Sequence, residues 1–399
     1  MSLAKQVLEL AQQYADDTAD QLSRLVKIPS LSGQEEAVNR ELARQLADAG
    51  FDEVTIDPLG NCVGRLGRGP RVLAIDAHMD TVDVGERANW DFDPFGGEVS
   101  GGFVHGRGTV DQEGGAAAFV TAGRIVRELG LGDQVTLVVT GTVMEEDCDG
   151  LCWKYLIEES GLRPELVIST EPTNLGVYRG QRGRMEMAVH LGGVSCHGSA
   201  PERGVNAAYK TARACLAIEE LHPRLRDDAF LGKGSVTVTD VRVHGPSLCA
   251  VPDMARLHLD RRLTMGETQE SAVAEVEQAL AGLDPRVEVL HYDGLAYTGL
   301  KYGMPKYYPT WVLPADHPAV REGAAVAAAL FDETPRVDRW TFSTNGVAIN
   351  GLHGIPCIGY GPGDEVLAHA PNEKVPVEHL VRASAFYALY ALRMAQADR

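Results

Sequence analysis

The feature that most constrains the fold is a change of hydrophobic rhythm partway along the chain, followed by a return to the first rhythm. Before it, strand-length apolar runs at 54–56, 61–65, 72–78, 135–142 and 166–169 alternate with helical spacing at 5–27, 32–49 and 114–129. Such alternation predicts an α/β domain whose sheet is largely buried. From Gly183 the order becomes strand 185–191, helix 205–220, strands 235–243 and 255–263, helix 269–283 and strand 287–292. That βαββαβ order predicts four antiparallel strands under two helices, a ferredoxin-like layer. After Gly294 a Pro/Tyr-rich stretch leads back to α/β patterning, with helices at 318–331 and 378–395. The simplest division is one α/β domain, 1–181 and 295–399, interrupted by a small inserted domain, 182–294.

Composition bounds the function. The 399 residues exceed one domain of roughly 100–200 residues, and 44% hydrophobic residues supply real cores. Lys+Arg 37 against Asp+Glu 56 gives a formal charge of −19, and no basic stripe is present to pair with nucleic acid. The longest apolar runs, 135–139 and 324–331, fall far short of the ~18 residues of a membrane span. The amphipathic opening from Met1 to Leu10 lacks a basic leader, an apolar stretch and a cleavage site, so no secretion signal is expected. Seven dispersed cysteines without a CxxC pair fit reduced thiols in a cytoplasmic protein.

The residues that carry chemistry sit just beyond strand ends or in glycine loops, where open α/β sheets build their sites. His78 and Asp80 follow the run 72–77, and extended alternation lets both point one way, as a metal-binding imidazole backed by a carboxylate would require. A surface or capping pair fits HxD alone equally well. Asp111 lies in Gly106-Arg107-Gly108-Thr109-Val110-Asp111 before a helix, where it could equally be a capping residue. Glu145 and Glu146 follow the strand 135–142; extended, they face opposite sides, and a solvated turn is the alternative. Glu171 stands before Pro172 at a further strand end, and His369 lies in the late loop Ala368-His369-Ala370. Together they form an oxygen/nitrogen set that suits zinc or a similar divalent ion.

The ordered set Ile28 to Val38 (IPSLSGQEEAV), His78-x-Asp80, the glycine-flanked Asp111, Glu145-Glu146, Thr170-Glu171-Pro172 and Ala368-His369 resembles the M20 metallopeptidase/amidohydrolase family. Its Asp-Gln-Glu-Gly, Ser-Leu-Cys-Ala-Val-Pro and Phe-Ser-Thr-Asn-Gly elements look like a selenium-metabolism hydrolase subgroup. The resemblance implies a zinc-peptidase-like catalytic domain with a mixed central sheet and an inserted lid through which members dimerise. It implies two divalent ions per subunit, zinc with cobalt or manganese as alternatives. Asp111 would be shared, His78 and Glu171 would complete one ion, and Glu146 and His369 the other. Asp80 would orient His78, and Glu145 would act as general base. The peptide after Asp111 would be cis.

In the lid, Val194-Ser195-Cys196-His197-Gly198-Ser199 resembles the family motif whose histidine reaches the partner's site and stabilises an oxyanion, so His197 takes that expectation. Arg262, in Asp260-Arg261-Arg262, would grip a substrate carboxylate. Arg182 is a second candidate for that task, and Thr344 a further substrate contact. A lid ion pair is the plain alternative for either arginine. Glu113, Cys249 and the 342–346 element depart from the common family pattern without touching a metal ligand. The expected protein is a cytoplasmic homodimer that hydrolyses a linear amide in a small molecule. N-acyl amino acid deacylation stands ahead of dipeptidase, carboxypeptidase or carbamoyl-amino-acid hydrolysis, and a non-enzymatic binding protein is the remote alternative.

Overall fold

The computed structural model describes residues 1–396, so the last three positions of the expected 295–399 segment lie outside the described residues. Eight consecutive buried residues make Val135–Thr142 a strand that needs cover on both faces. It lies in a nine-stranded mixed sheet ordered Glu53–Ile56, Cys62–Leu66, Val135–Thr142, Arg71–His78, Leu166–Ser169, Cys357–Gly359, Val177–Gln181 and Trp311–Val312, with Val337–Trp340 also beside Val177–Gln181. The four strands 135–142, 71–78, 166–169 and 357–359 are parallel. Their register sets His78 opposite Thr142, Asp76 opposite Ser169 and Gly359 opposite Ser169, so the loops that follow emerge along one edge.

Helix Glu113–Leu129 packs against the last helix, Val377–Met394. It reaches the site edge because Gly115 has no side chain: a Cβ there would stand 1.9 Å from Thr170 Oγ1. Tyr360, at the end of the 357–359 strand, stacks on Phe386 of the last helix with centroids 3.7 Å apart.

The inserted segment supplies four strands of a second, five-stranded sheet, ordered Ser235–His244, Met254–Leu263, Gly183–Gly192 and Pro285–Val289, antiparallel throughout, and Tyr307–Tyr308 from beyond the expected insertion also pairs with Gly183–Gly192. Helices Ala207–Leu221 and Gln269–Ala279 contribute to a separate core that includes Met187, Leu257, Leu259, Ile218 and Val276. The ferredoxin-like order read from the sequence is therefore observed.

Some elements differ from expectation. The helix expected over 5–27 is two, Leu3–Gln13 and Ala15–Val26, broken at Tyr14. The strand expected over 287–292 stops at Val289; His291–Leu295 turns away to pair with Lys301–Pro305. That hairpin gains an edge-on contact of Tyr302 with Tyr155, centroids 5.1 Å apart, an aromatic pairing invisible to local periodicity. The helix Leu151–Glu158, the small sheet of Glu98–Ser100, Phe103–His105 and Lys374–Pro376, and the π-helical turn Val347–Leu352 were not foreseen.

One buried ion pair anchors the inserted layer: Arg261, fully buried, donates from Nη2 to Glu267 Oε1 at 2.6 Å and Glu275 Oε2 at 2.9 Å. Removing the cation strands a buried carboxylate, which costs about 3–5 kcal/mol. Arg261→Met is expected to lower the urea unfolding midpoint accordingly, and adding Glu267→Leu to recover part of it; a single variant as stable as wild type would contradict this.

Candidate metal centre

The loops bring together all the acids and imidazoles expected at the metal site. His78 Nε2 lies 2.9 Å from Asp111 Oδ1 and 3.9 Å from both Glu145 Oε2 and Glu171 Oε1. His369 Nε2 lies 3.2 Å from Asp111 Oδ2 and 3.0 Å from Glu146 Oε2. Two groups bring their ligand-type atoms within 4.8 Å of one another: His78, Glu145 and Glu171, and His78, Asp111 and Glu146. Glu145, expected as a base, thus also stands among ligand-type atoms.

Each side chain has an identifiable local support. The Asp111–Gln112 peptide is cis. Glu373 fixes the loop before it, accepting from Arg107 Nη1 at 2.6 Å, Val110 N at 2.7 Å, Asp111 N at 3.1 Å and Gly108 N at 3.2 Å. Glu171 lies where Gly361 passes so closely that a Cβ would stand 2.0 Å from its carbonyl oxygen. His369 and Met144 take left-handed backbone angles, φ 60 in each, conformations that non-glycine residues adopt only where surroundings hold them.

Asp80 supports His78 differently from expectation. His78 Nδ1 is 2.7 Å from the main-chain carbonyl of Asp80 and 3.7 Å from its carboxylate. The carboxylate instead accepts the N–H groups of Glu145 and Glu146 at 3.1 and 3.0 Å and the Ser32 hydroxyl at 2.7 Å.

Burial and mutual proximity displace the protonation equilibria. Burial drives Glu145 and Glu171 well above the ordinary carboxylate range, with neighbouring acids adding to the effect. Burial and Asp111 push Glu146 up to about 7. Asp111 is held low: hydrogen bonds from His369 and His78 outweigh its burial. Bonds to Asp111 and Glu146 raise His369 to about 10, and the acids around His78 raise it despite burial. Glu145 Oε1 and Glu171 Oε2 are buried without a hydrogen-bond partner among the described residues. Four carboxylates and two imidazoles, with unpartnered oxygens on Glu145 and Glu171, fit divalent cations.

The cleft over this cluster has a volume of about 380 Å³; Asp149, Arg184, Arg262, Phe342, Ser343, Glu365 and Ala368 complete its lining. Three expected substrate or oxyanion residues are not in this lining. Arg182 Nη1 donates to the Lys233 carbonyl at 2.9 Å, because it sits at the crossover between the two sheets, and Arg184 takes the lining position. Thr344 is fully buried and donates to Gln181 Oε1 at 2.6 Å, so Phe342 and Ser343 face the cleft instead. His197 lies exposed on the inserted layer, outside the cleft lining of its own chain. Arg262 does line the cleft, braced by Asp260 at 2.8 Å. Sequence reasoning overlooked Glu35, Asn61, Arg184 and the supporting part of Glu373. For Glu373 the signal was an acid four residues past His369, with Arg107 in a distant glycine loop as its counter-charge.

Acids, imidazoles and arginines around one cleft at the ends of a parallel sheet define a hydrolase of the metallopeptidase and amidohydrolase type. Residues 74–393 match the model of peptidase family M20/M25/M40, and the chain belongs to that family. It is 51% identical over 390 residues to the uncharacterized protein YgeY of Escherichia coli (strain K12), covering 97% of each chain. A succinyl-diaminopimelate desuccinylase of Methylocella silvestris is 31% identical over 279 residues, 65% of this chain and 71% of that protein. The fold is similar to aminopeptidase PepT of Bacillus cereus, TM-score 0.73 at 20% identity, covering 96% of this chain and 99% of that one. It is also similar to Bacillus subtilis YXEP, described as a dinuclear metal binding peptidase from the M20 family, TM-score 0.72 at 14% identity over 96% and 99% of the chains.

The shifted equilibria have a measurable consequence. His78, His369, Glu145, Glu146 and Glu171 are all raised, so folded protein without metal holds more protons than the unfolded chain, and its stability falls as pH rises. Glu146 acts between its ordinary 4.5 and about 7, and His369 between 6.5 and about 10. Asp111, lowered, acts oppositely but only below its ordinary 3.8. The melting temperature of chelator-treated protein should fall from about pH 5 to about pH 9, more steeply than that of zinc-loaded protein; a flat or rising curve would refute the assignment.

Proposed function

We propose that this M20 hydrolase cleaves a linear amide bond in a small molecule bearing a free carboxylate, acting first as an N-acyl amino acid deacylase with two divalent ions, zinc foremost. The carrying observation is the buried, unpartnered Oε1 of Glu145 inside the cluster of acids and imidazoles. His78, Asp111 and Glu171 would hold one ion and Asp111, Glu146 and His369 the other. When bound, such a pair polarises the scissile carbonyl and makes a water acidic near neutral pH.

Glu145 Oε1 takes the proton of the attacking water and returns it to the leaving nitrogen. Arg262 spends Nε and Nη2 on Asp260, which leaves Nη1 for a substrate carboxylate. Glu365 favours dipeptides as a second reading: it lines the cleft and its Oε2 is buried without a partner, a place for a substrate ammonium.

His197 suits an oxyanion donor. Ser199 N donates to its Nδ1 at 3.1 Å, so the neutral ring carries its proton on Nε2. Because that ring does not line its own cleft, it acts on the partner of a homodimer formed through 182–294, with 1–181 and 295–399 as the catalytic body. The layer's edge strand Ser235–His244 exposes Val241 and Val243, and its helix exposes Tyr209 and Leu216, surfaces that edge pairing would cover. Among the described residues no helix is long and apolar enough to cross a membrane. The free cysteines, four of them buried, agree with a cytoplasmic setting.

Glu145→Gln is expected to lower kcat by about 10²–10⁴-fold on N-acyl amino acids or dipeptides, with zinc still bound. Unchanged turnover would sink the mechanism. Mixing Glu145→Ala and His197→Ala chains should restore part of the activity as dimers exchange; no recovery after demonstrated exchange would argue against action across the dimer.

A further inference from the structure

The turn that carries Glu145 and Glu146 has an unusual support. Strand pairing with Arg71–His78 ends at Thr142, and the next four main-chain N–H groups are each taken by a buried side-chain oxygen. Val143 N donates to Asn61 Oδ1 at 3.1 Å, Met144 N to Glu35 Oε1 at 3.0 Å, Glu145 N to Asp80 Oδ1 at 3.1 Å and Glu146 N to Asp80 Oδ2 at 3.0 Å. Strand pairing does not continue here, where Met144 is left-handed, so these N–H groups depend on side chains for their acceptors.

The three acceptors come from three separate stretches of chain. Asn61 is fully buried, and its amide nitrogen is given to Asp57 Oδ2 at 2.8 Å, which leaves Oδ1 for Val143. Glu35 is fully buried just before helix Glu36–Asp48, and its Oε1 also accepts Gly33 N at 2.9 Å. Burial of an acid is costly unless its oxygens are used. Glu35 uses one for the turn, and its neighbour Glu36 is exposed on the helix.

We propose that Glu35 and Asn61 are positioning residues of the hydrolytic site. Their side-chain oxygens hold the left-handed turn at Met144, and through it they aim Glu145 and Glu146 into the cleft without touching substrate or metal. The inference rests on the reading of Glu145 and Glu146 given above, so its test includes a measurement independent of turnover. Backbone fixing of ligand-bearing loops belongs to the outer support of metal sites, whose loss typically costs about 10–100-fold in metal affinity or activity.

The test uses the full chain as Glu35→Gln, which keeps the Oε1 acceptor, Glu35→Met, which removes it at similar length, and Asn61→Ala, which frees Val143 N. Leu389→Ala in the last helix serves as a remote destabilised control. Amide hydrogen exchange of the peptide spanning 140–150 and zinc affinity by calorimetry are measured below each variant's melting temperature. Glu35→Met and Asn61→Ala should lose protection in that peptide and bind zinc about 10–100-fold more weakly. Glu35→Gln and Leu389→Ala should match wild type in both.

Wild-type protection and affinity in folded Glu35→Met would overturn the proposal, as would equal losses in Leu389→Ala or Glu35→Gln. If Glu35→Met does not fold, Asn61→Ala decides by the same two readouts. If wild-type protein binds no zinc, the metal reading fails separately, and exchange at the turn still decides the positioning role.

Discussion

The arrangement depends on one residue that ties two strand ends together. Asp80 gives its main-chain carbonyl to His78 Nδ1 and its carboxylate to the N–H groups of Glu145 and Glu146. The parallel strands 71–78 and 135–142 set His78 opposite Thr142, so the two loops leave the sheet side by side. Parallel pairing alone would leave them free to diverge. A fully buried carboxylate that finds three donors, Ser32 among them, is stable where it is and rigid in what it holds. It also leaves His78 Nε2 directed at Asp111, since the opposite ring nitrogen is committed.

Around that tie, burial and neighbouring charge divide the acids by protonation in the metal-free protein. Asp111 lies between two imidazoles and stays ionised, while Glu145 and Glu171 lie deeper among like charges and are driven toward the neutral form. Behind Asp111, the buried Arg107 is matched to Glu373 at 2.6 Å. Its charge is thereby spent within the scaffold, and Glu373 hands its remaining acceptor capacity to the backbone that presents Asp111. Glu113, buried beside Glu373 with Oε2 unpartnered, is pushed well up by burial; the structure gives it no contact with the substrate cleft.

The legible parts of this protein are those written in local periodicity or in loops next to strand ends. Runs such as 135–142 and the order of elements over 183–289 sufficed for the two sheets, because burial on both faces or on one face leaves a direct mark on the sequence. His78, Asp111, Glu145, Glu146, Glu171 and His369 were legible because each directly follows a strand or glycine loop. Glu35, Asn61 and Glu373 were not, because their partners are backbone N–H groups up to 265 positions away. A residue that acts on another segment's main chain leaves no pattern in its own neighbourhood. The hairpin 291–305 escaped for a related reason: its strands face distant Tyr155 and Met144, so neither the period nor the turn chemistry of 287–295 announced it.

The arginines show how a two-residue error arises and what it changes. Along a regular strand Arg182 and Arg184 would share a face, so either could serve the cleft. The chain passes from Val177–Gln181 in the main sheet to Gly183–Gly192 in the inserted one at this point, and Arg182 falls on the crossover. It is fixed by the Lys233 carbonyl beside Arg262 and Arg339, and burial with those like charges lowers its proton affinity. Arg184 is instead in register opposite Arg262, and both line the cleft across from the acids. Arg184 also reaches Asp149, just past Glu146, at 3.4 Å. The inserted sheet thereby touches the acid-bearing loop through a cation, so the layer that presents Arg262 and the loop that presents Glu145 keep a defined relation. On the proposed reading, chemistry would rest on the parallel strands of the main sheet and anion recognition on the inserted one, and their relative placement would decide which amides can bridge the two.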